Sequence, residues 1–374
     1  MRLTSFQYVT CLLGLVVMLM LAACRGDDAG RTSFTTPEEA YSGVLSEGIF
    51  SPIPASPIYP AGNPFSADKA LLGELLFWDP ILSGNKDIAC ASCHHPSHQW
   101  ADGRAVSVGV GGHGLGPGRV GQNTTPRHSP SVLNVAFTGI MVSAADTFVS
   151  GPYLWDARAA TLEKQVIEPI RSALEMRGDN YTVSDILPEV IHRLERNARY
   201  VELFARAFGT DAKISEKTIA QALATFQRGL TTGPTRFDQF LKGDTSALSL
   251  RELKGLNTFI SAGCASCHNG PMLSDYKIDP SKPVIRNKPA VRTPGLRNVA
   301  VTAPYMHDGS HATLNSAIAF YEDRDDLGVI LDEEDIAPIV AFLNVLTETN
   351  VYQNVPTAVP SGLAVGGNIR DRSP

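Results

Sequence analysis

Apolar residues recur at helical spacing in short blocks, separated by long polar stretches rich in glycine and proline. Leu71, Leu72, Leu75 and Leu76 follow Ser66 and Asp68, which can cap a helix start. Ser249-Leu-Arg-Glu252 is a capping box opening onto Leu253, Leu256 and Ile260. Further helices are expected from Leu162, from Leu314 and near Asp332, the last with Ile336, Ile339, Val340 and Leu343 on one face. Ile186, Val190, Ile191 and Leu194, then Ile219, Leu223 and Phe226, mark an extra helical insert over 184–229, expected to pack around the first half. The pattern predicts an all-α fold with long loops.

The blocks also repeat. Cys90-Ala-Ser-Cys93-His94 recurs letter for letter as Cys264-Ala-Ser-Cys267-His268. Pro130-Ser-Val-Leu-Asn134-Val-Ala-Phe-Thr138 parallels Pro294-Gly-Leu-Arg-Asn298-Val-Ala-Val-Thr302, and Asp156 to Leu162 parallels Asp308 to Leu314. The chain therefore divides into two tandem cytochrome c-like units, 61–235 and 245–350, joined by a polar stretch from Thr231 to Ser246. A C-x-x-C-H run attaches a c-type haem. Its two thiols add across the porphyrin vinyl groups, and the adjacent histidine becomes the proximal iron ligand. One copy alone would also fit a redox CxxC or half a zinc site; two identical copies ending in histidine point to two covalent haems.

Composition narrows the setting. Arg2 precedes a mostly apolar run from Cys11 to Ala23 that ends in Leu21-Ala22-Ala23-Cys24. This reads as a signal peptide of lipoprotein type over 1–23, with Cys24 lipidated; an ordinary signal peptide cut nearby is the alternative. The run is too short for a persistent membrane span. A periplasmic protein, lipid-anchored in a Gram-negative envelope and touching the membrane only through that anchor, is expected. Of six cysteines, Cys11 leaves with the signal, Cys24 takes lipid and four hold haem, so none remains for disulfides. Residues 24–60 read as a tether and extended arm, and 351–374 as a loose tail. The net charge of −6, with no basic stripe, does not indicate nucleic acid.

The repeat distinguishes the two irons. Seven residues past the shared leucine lies Tyr321 in the second unit but Pro169 in the first. Leu314, Ala317, Ile318 and Tyr321 share one helical face, as do Leu162, Gln165, Val166 and Pro169. A tyrosine oxygen can bind iron, whereas proline offers no donor. One closed haem (His268/Tyr321) and one left open opposite His94 are expected. Tyr321 as a packed aromatic is the plainer reading. Met306 is the rival ligand, since thioether is common in cytochromes c, and Met272 lies too close to His268. Near Pro169, Glu175 can act as general acid and base and Gln165 can orient peroxide or water. Glu175 is off that face if the helix continues, and is then a surface acid; it reaches the pocket only if the chain breaks near the proline. Trp155 directly precedes the repeated aspartate, where an indole can relay electrons or simply fill the core. His113, in Gly111-Gly-His-Gly114, sits on a loop that can swing over the open iron, while His95, His98, His192 and His311 read as loop or surface residues.

These motifs resemble the bacterial dihaem cytochrome c peroxidase family, including its MauG-like branch, which matures a tryptophan-derived quinone cofactor. The resemblance spans residues 65–350 and includes Leu-Gly-Glu-Leu-Leu-Phe77-Trp-Asp-Pro80, Leu154-Trp155-Asp156-Ala-Arg158, Phe237 to Asp244 and Thr302 to Gly309. It implies that the first haem is the peroxide site and that the second stores or passes an electron. It places Trp155 between them, and Gln165 and Glu175 as the distal pair. It also implies a calcium ion held partly by backbone oxygens of Thr302 and Pro304. Two departures stand out. Tyr321 replaces the peroxidases' methionine, as in the MauG-like branch, and anionic oxygen stabilises oxidised iron. His128 replaces the usual calcium-site asparagine, leaving backbone oxygens and water as donors. His113 resembles a displaceable distal histidine only through its Gly-His-Gly context. The expected activity is reduction of hydrogen peroxide with electrons from a small periplasmic cytochrome c or copper protein. Alternatives are a maturase that oxidises aromatic residues of a partner protein, and a non-catalytic electron carrier.

Overall fold

Ser66 accepts a hydrogen bond from Lys69 N and starts α1 (Ala67–Trp78). The structure, a computed structural model, describes Thr36, Ser42 and residues 48–140, 151–285 and 288–369; the expected signal peptide, Cys24 and most of the tether lie outside these. After α1 come two short helices, α2 (Leu162–Gln165) and α3 (Glu168–Arg171). They are followed by α4 (Ile186–Glu195), α5 (Ala198–Phe208), α6 (Glu216–Gly229) and α7 (Arg236–Leu241). The second half adds α8 (Leu250–Ser261), opened by the Ser249/Glu252 capping box, then α9 (Leu314–Ala319) and α10 (Glu333–Asn344). Among the described residues, β pairing is confined to isolated bridges, so the fold is all-α as the pattern predicts.

Two helix pairs frame the halves, and a glycine sets the approach in each. A Cβ on Gly73 of α1 would lie 2.0 Å from the Ala222 carbonyl oxygen of α6. A Cβ on Gly255 of α8 would lie 1.9 Å from the Pro338 oxygen of α10. Only glycine permits backbones that close. The matched asparagines follow the same rule. Asn134, with φ 62°, donates from its backbone to Leu230 O just past α6, while Asn298, with φ 59°, donates to Leu346 O just past α10. Asparagine tolerates this left-handed backbone better than most residues. α6 is thus the first unit's counterpart of α10. Helical spacing alone puts it in a peripheral insert; its buried Ile219, Leu223 and Phe226 belong to the first core itself.

Each half has its own core, one around α1, α4, α5 and α6, the other around α7, α8 and α10. A smaller cluster contains Ile53, Ala136, Phe137, Met272 and Tyr276, drawn from the arm and from both halves. Phe50 of the arm is buried in the second core, and Ile53 N donates to Asp238 Oδ1 at 2.7 Å. That carboxylate is fully buried and gripped at 2.5 and 2.8 Å by Arg297, itself 1% exposed at its side chain. Removing one partner of a buried pair strands the other charge, so Arg297→Met should cost about 3–5 kcal/mol. The comparable change at Arg236, whose pair with Glu252 is half in water, should cost about 1 kcal/mol or less. Denaturant midpoints of the two variants check this difference.

The expected loose tail is packed over its described part, 351–369. Val351 and Val359 are buried in the first core, and Ser361 Oγ donates to Asp79 Oδ1 at 2.6 Å. Gly366 N donates to Trp78 O at 2.7 Å, and Gly367 bridges Ile88 just before the first haem motif. Scattered valines and backbone hydrogen bonds hold this segment, and neither leaves a periodic signal.

Candidate functional site

Both C-x-x-C-H motifs form one 3-10 turn, Cys90–Ser92 and Cys264–Ser266, with His94 N and His268 N donating back to the first cysteine's carbonyl at 2.9 Å. His94 Nδ1 lies 3.1 Å from Trp100 O, and His268 Nδ1 lies 2.9 Å from Leu273 O. A carbonyl only accepts, so Nδ1 carries the proton in each ring and Nε2 keeps its lone pair for a metal. Trp100 and Leu273 both adopt left-handed backbone, with φ of 61° and 51°.

The four thiols and two imidazoles line one cavity of about 1140 Å³. This exceeds the roughly 300–1,000 Å³ of a single small-molecule site. Burial pushes the Cys90, Cys93 and Cys264 thiols up to about 12, so they are not reactive thiolates. The lining also holds buried polar atoms without partners: Arg292 Nη1, both ring nitrogens of His307, Ser107 Oγ and Gln227 Oε1. Such atoms cost about 1–3 kcal/mol each when left unpaired, so a bound molecule with polar substituents is called for. A haem carries two carboxylates on an otherwise apolar disc, and the residues present fit two of them.

In the first half, α2 stops at Gln165 and α3 carries Pro169, so the helix expected from Leu162 is interrupted. Ser172 Oγ then accepts from Glu175 N at 3.3 Å and starts the π-helical turn Ala173–Arg177. This break brings Glu175 to the cavity wall together with Gln165 and Pro169. A Cβ on Gly109 would lie 1.7 Å from Leu174 O, so the chain at 109 closes tightly over the turn. Burial raises the Glu175 carboxyl above the ordinary range, Arg158 pulls it down, and Glu168 adds to the rise.

In the second half, Tyr321 lies two residues beyond α9 rather than on it, with its backbone N donating to Ile318 O at 2.9 Å. Its side chain lines the cavity, and burial, with the Cys264 thiol adding, pushes the phenol up to about 12. Met306 and Met272 line the cavity too; Met272 belongs to the small cluster with Phe137 and Tyr276.

Between the halves the repeat closes on itself. The Tyr153–Ala159 bridge is mirrored by Tyr305–His311, and Leu154 and Met306 share left-handed φ values of 68° and 69°. Trp155 therefore corresponds to His307, and their rings meet edge-on at 6.3 Å. Trp155 Nε1 donates to His128 O at 2.9 Å, and His128 N donates to His307 O at 2.8 Å. Sequence reasoning missed His307, although aligning Asp156 with Asp308 puts it opposite Trp155. Thr302 and Pro304 line the same stretch, while His128 Nδ1 is held 2.8 Å from Arg104 O. Among the described residues, no cluster of three His, Cys, Asp or Glu side chains could hold a metal ion.

His113 is not brought to the cavity. It is exposed, pairs with Val120 at 2.9 and 2.8 Å, and its neighbour Gly114 N donates to Asn368 O. The loop is tied to Val120 and to the tail, and His113 lies outside the cavity lining in this structure.

A model of the di-haem cytochrome c peroxidase family matches residues 67–246. The chain is 35% identical over 282 residues to the methylamine utilization protein MauG of Methylophilus methylotrophus, covering 71% of this chain and 75% of that protein. It is 33% identical over 325 residues to the cytochrome c551 peroxidase of Nitrosomonas europaea, covering 82% and 88%. Among solved structures it is similar to a MauG-like protein associated with microbial copper homeostasis, with a TM-score of 0.63 and 29% identity over 79% of this chain and 93% of that one. The diheme peroxidase BthA from Burkholderia thailandensis shares the fold, with a TM-score of 0.59 and 22% identity over 83% and 94%.

Proposed function

This chain belongs to the di-haem cytochrome c peroxidase family, and on that premise we propose that it reduces hydrogen peroxide in the half centred on His94, using electrons delivered through the half centred on His268. One observation carries this reading: at equivalent places on the cavity wall, the first half offers Pro169, which has no donor, and the second offers the Tyr321 phenol. Cys90, Cys93 and His94 would hold one haem, and Cys264, Cys267, His268 and Tyr321 the other. When bound, the pair would supply one iron that reacts with peroxide and one that stores or passes an electron.

The protein's own groups do the rest. Glu175 takes the proton from the inner oxygen of peroxide and returns it to the departing one. Gln165 orients the peroxide with its amide. Trp155, held by His128 O and edged by His307, passes electrons between the halves. Two electrons and two protons turn each peroxide into two waters. We further propose backbone oxygens of Thr302 and Pro304 as donors for a calcium ion, with His128 where an asparagine is usual. The work is placed in the periplasm, anchored through Cys24, with a small cytochrome c or copper protein as donor.

A second reading, maturation of a partner protein by oxidising its aromatic side chains, is favoured by the tyrosine at 321. One experiment separates the readings: the holoprotein is mixed with peroxide, then given reduced cytochrome c or a co-purifying protein. Fast oxidation of cytochrome c supports the peroxidase, and oxidised aromatic residues on the partner support the maturase. If neither iron responds to peroxide, the protein is an electron carrier and the proposal fails.

A further inference from the structure

The two haem motifs are identical in sequence, but what lies behind each proximal histidine is not. His268 is held by the carbonyl of Leu273, an aliphatic residue. His94 is held by the carbonyl of Trp100, a fully buried indole. That indole stacks on Tyr352 of the tail, with ring centroids 6.3 Å apart and planes inclined by 26°, and its Nε1 donates to Tyr352 O at 2.9 Å. Phe226 closes the group, 6.1 Å from Trp100 and 6.3 Å from Tyr352. Tyr352 is 41% exposed, and its hydroxyl donates to Glu74 Oε1 at 2.9 Å, an oxygen that also accepts from Asn354 Nδ2 at 2.7 Å. A hydrogen bond to the Trp100 backbone, followed by the Trp100–Tyr352 stack, thus links the proximal ligand of the first half to solvent, and the path ends in a phenol whose proton has an acceptor.

We propose that Tyr352 is a second oxidation site, at which small electron-rich phenols give up single electrons to the first half without passing through the second. This rests on the peroxide reading above and names a further substrate class for the same centre. Oxidising a phenol is unfavourable unless its proton leaves with the electron, because a phenol radical cation is a strong acid. Here the proton has a place to go. Tyr352 passes one electron inward through Trp100 and its hydroxyl proton to the Glu74 carboxylate. It then regains an electron from a phenol in solution and its proton from Glu74, while the phenol releases its own proton to water. Two rounds give two phenoxyl radicals and supply the two electrons that one peroxide consumes. A tail without apolar periodicity gives no sign of this site, although it supplies both the exposed ring and the carbonyl that fixes Trp100.

The test uses the two-haem protein with 2-methoxyphenol as substrate probe and 2-methyl-2-nitrosopropane as spin trap. After one equivalent of peroxide, electron paramagnetic resonance should show a tyrosyl radical, and peptide mass spectrometry should place the trap adduct on Tyr352. Tyr352→Phe keeps the stack and the backbone carbonyl. It should lose the adduct and slow 2-methoxyphenol oxidation by about tenfold or more. Glu74→Gln should keep the ring but slow the same reaction, with a changed pH profile. An adduct elsewhere, or phenol oxidation unchanged in Tyr352→Phe, overturns the proposal while leaving the peroxide reading intact. No response of the wild-type irons to peroxide sinks both.

Discussion

Replacing Glu175 with glutamine should slow the reaction with peroxide by about 10²–10⁴-fold, the range in which a single positioned acid–base group contributes. The amide keeps the size and can still hydrogen-bond, but it cannot accept the proton that must move from one peroxide oxygen to the other. The helix break at Gln165–Glu168 and the Ser172-capped π turn bring this side chain to the cavity. Its reactivity with pH follows from its surroundings. Burial and Glu168 raise the carboxyl above the ordinary value of about 4.3, so the ionised base forms only at higher pH and the rate rises as pH climbs through that raised value. Stopped-flow rates across pH should show this rise in the wild type and lose it in Glu175→Gln. Glu168→Gln removes the raising charge, so the inflection should move to lower pH while the rate at neutral pH holds. A Glu175→Gln protein that reacts with peroxide at the wild-type rate would remove this residue from the mechanism.

Much of this is legible in the chain because the chemistry is written in short, rigid phrases. Cys90 to His94 and Cys264 to His268 carry their attachment chemistry locally, and the matched asparagine and aspartate phrases establish the repeat by themselves. The all-α class follows from capping boxes and apolar spacing. What is not legible depends on long-range closure. The correspondence of α6 with α10 rests on how closely Gly73 approaches Ala222 and Gly255 approaches Pro338, distances that no local pattern encodes. The place of His113 depends on a tie between its loop and the tail through Asn368, far along the sequence. Glu175 stands undecided on periodicity alone, since proline at 169 permits a break without stating where the chain goes next. The tail carries no apolar period, so its hydrogen bonds to Asp79, Trp78 and Asp87 leave no mark in the pattern.

Tyr321→Met should raise the potential of the second haem by on the order of a few tenths of a volt, within the roughly 0.8 V that axial ligands command. A thioether has no charge and favours reduced iron, whereas a phenolate oxygen favours the oxidised state. The surroundings of Tyr321 add a dependence on pH. Burial holds the free phenol up at about 12, so it binds as phenolate only when a metal cation displaces its proton. Acid should therefore loosen the wild-type ligand and leave the methionine variant unaffected. Tyr321→Phe separates loss of the oxygen from gain of sulfur, since it provides neither. With sulfur in place, the second half becomes a readier supplier of electrons and a poorer store of oxidising equivalents. Turnover with reduced cytochrome c should then rise, and oxidation of aromatic residues on a partner protein should fall. A potential that stays unchanged in Tyr321→Met would mean that another side chain, Met306 first among those on the cavity wall, occupies the iron's sixth place.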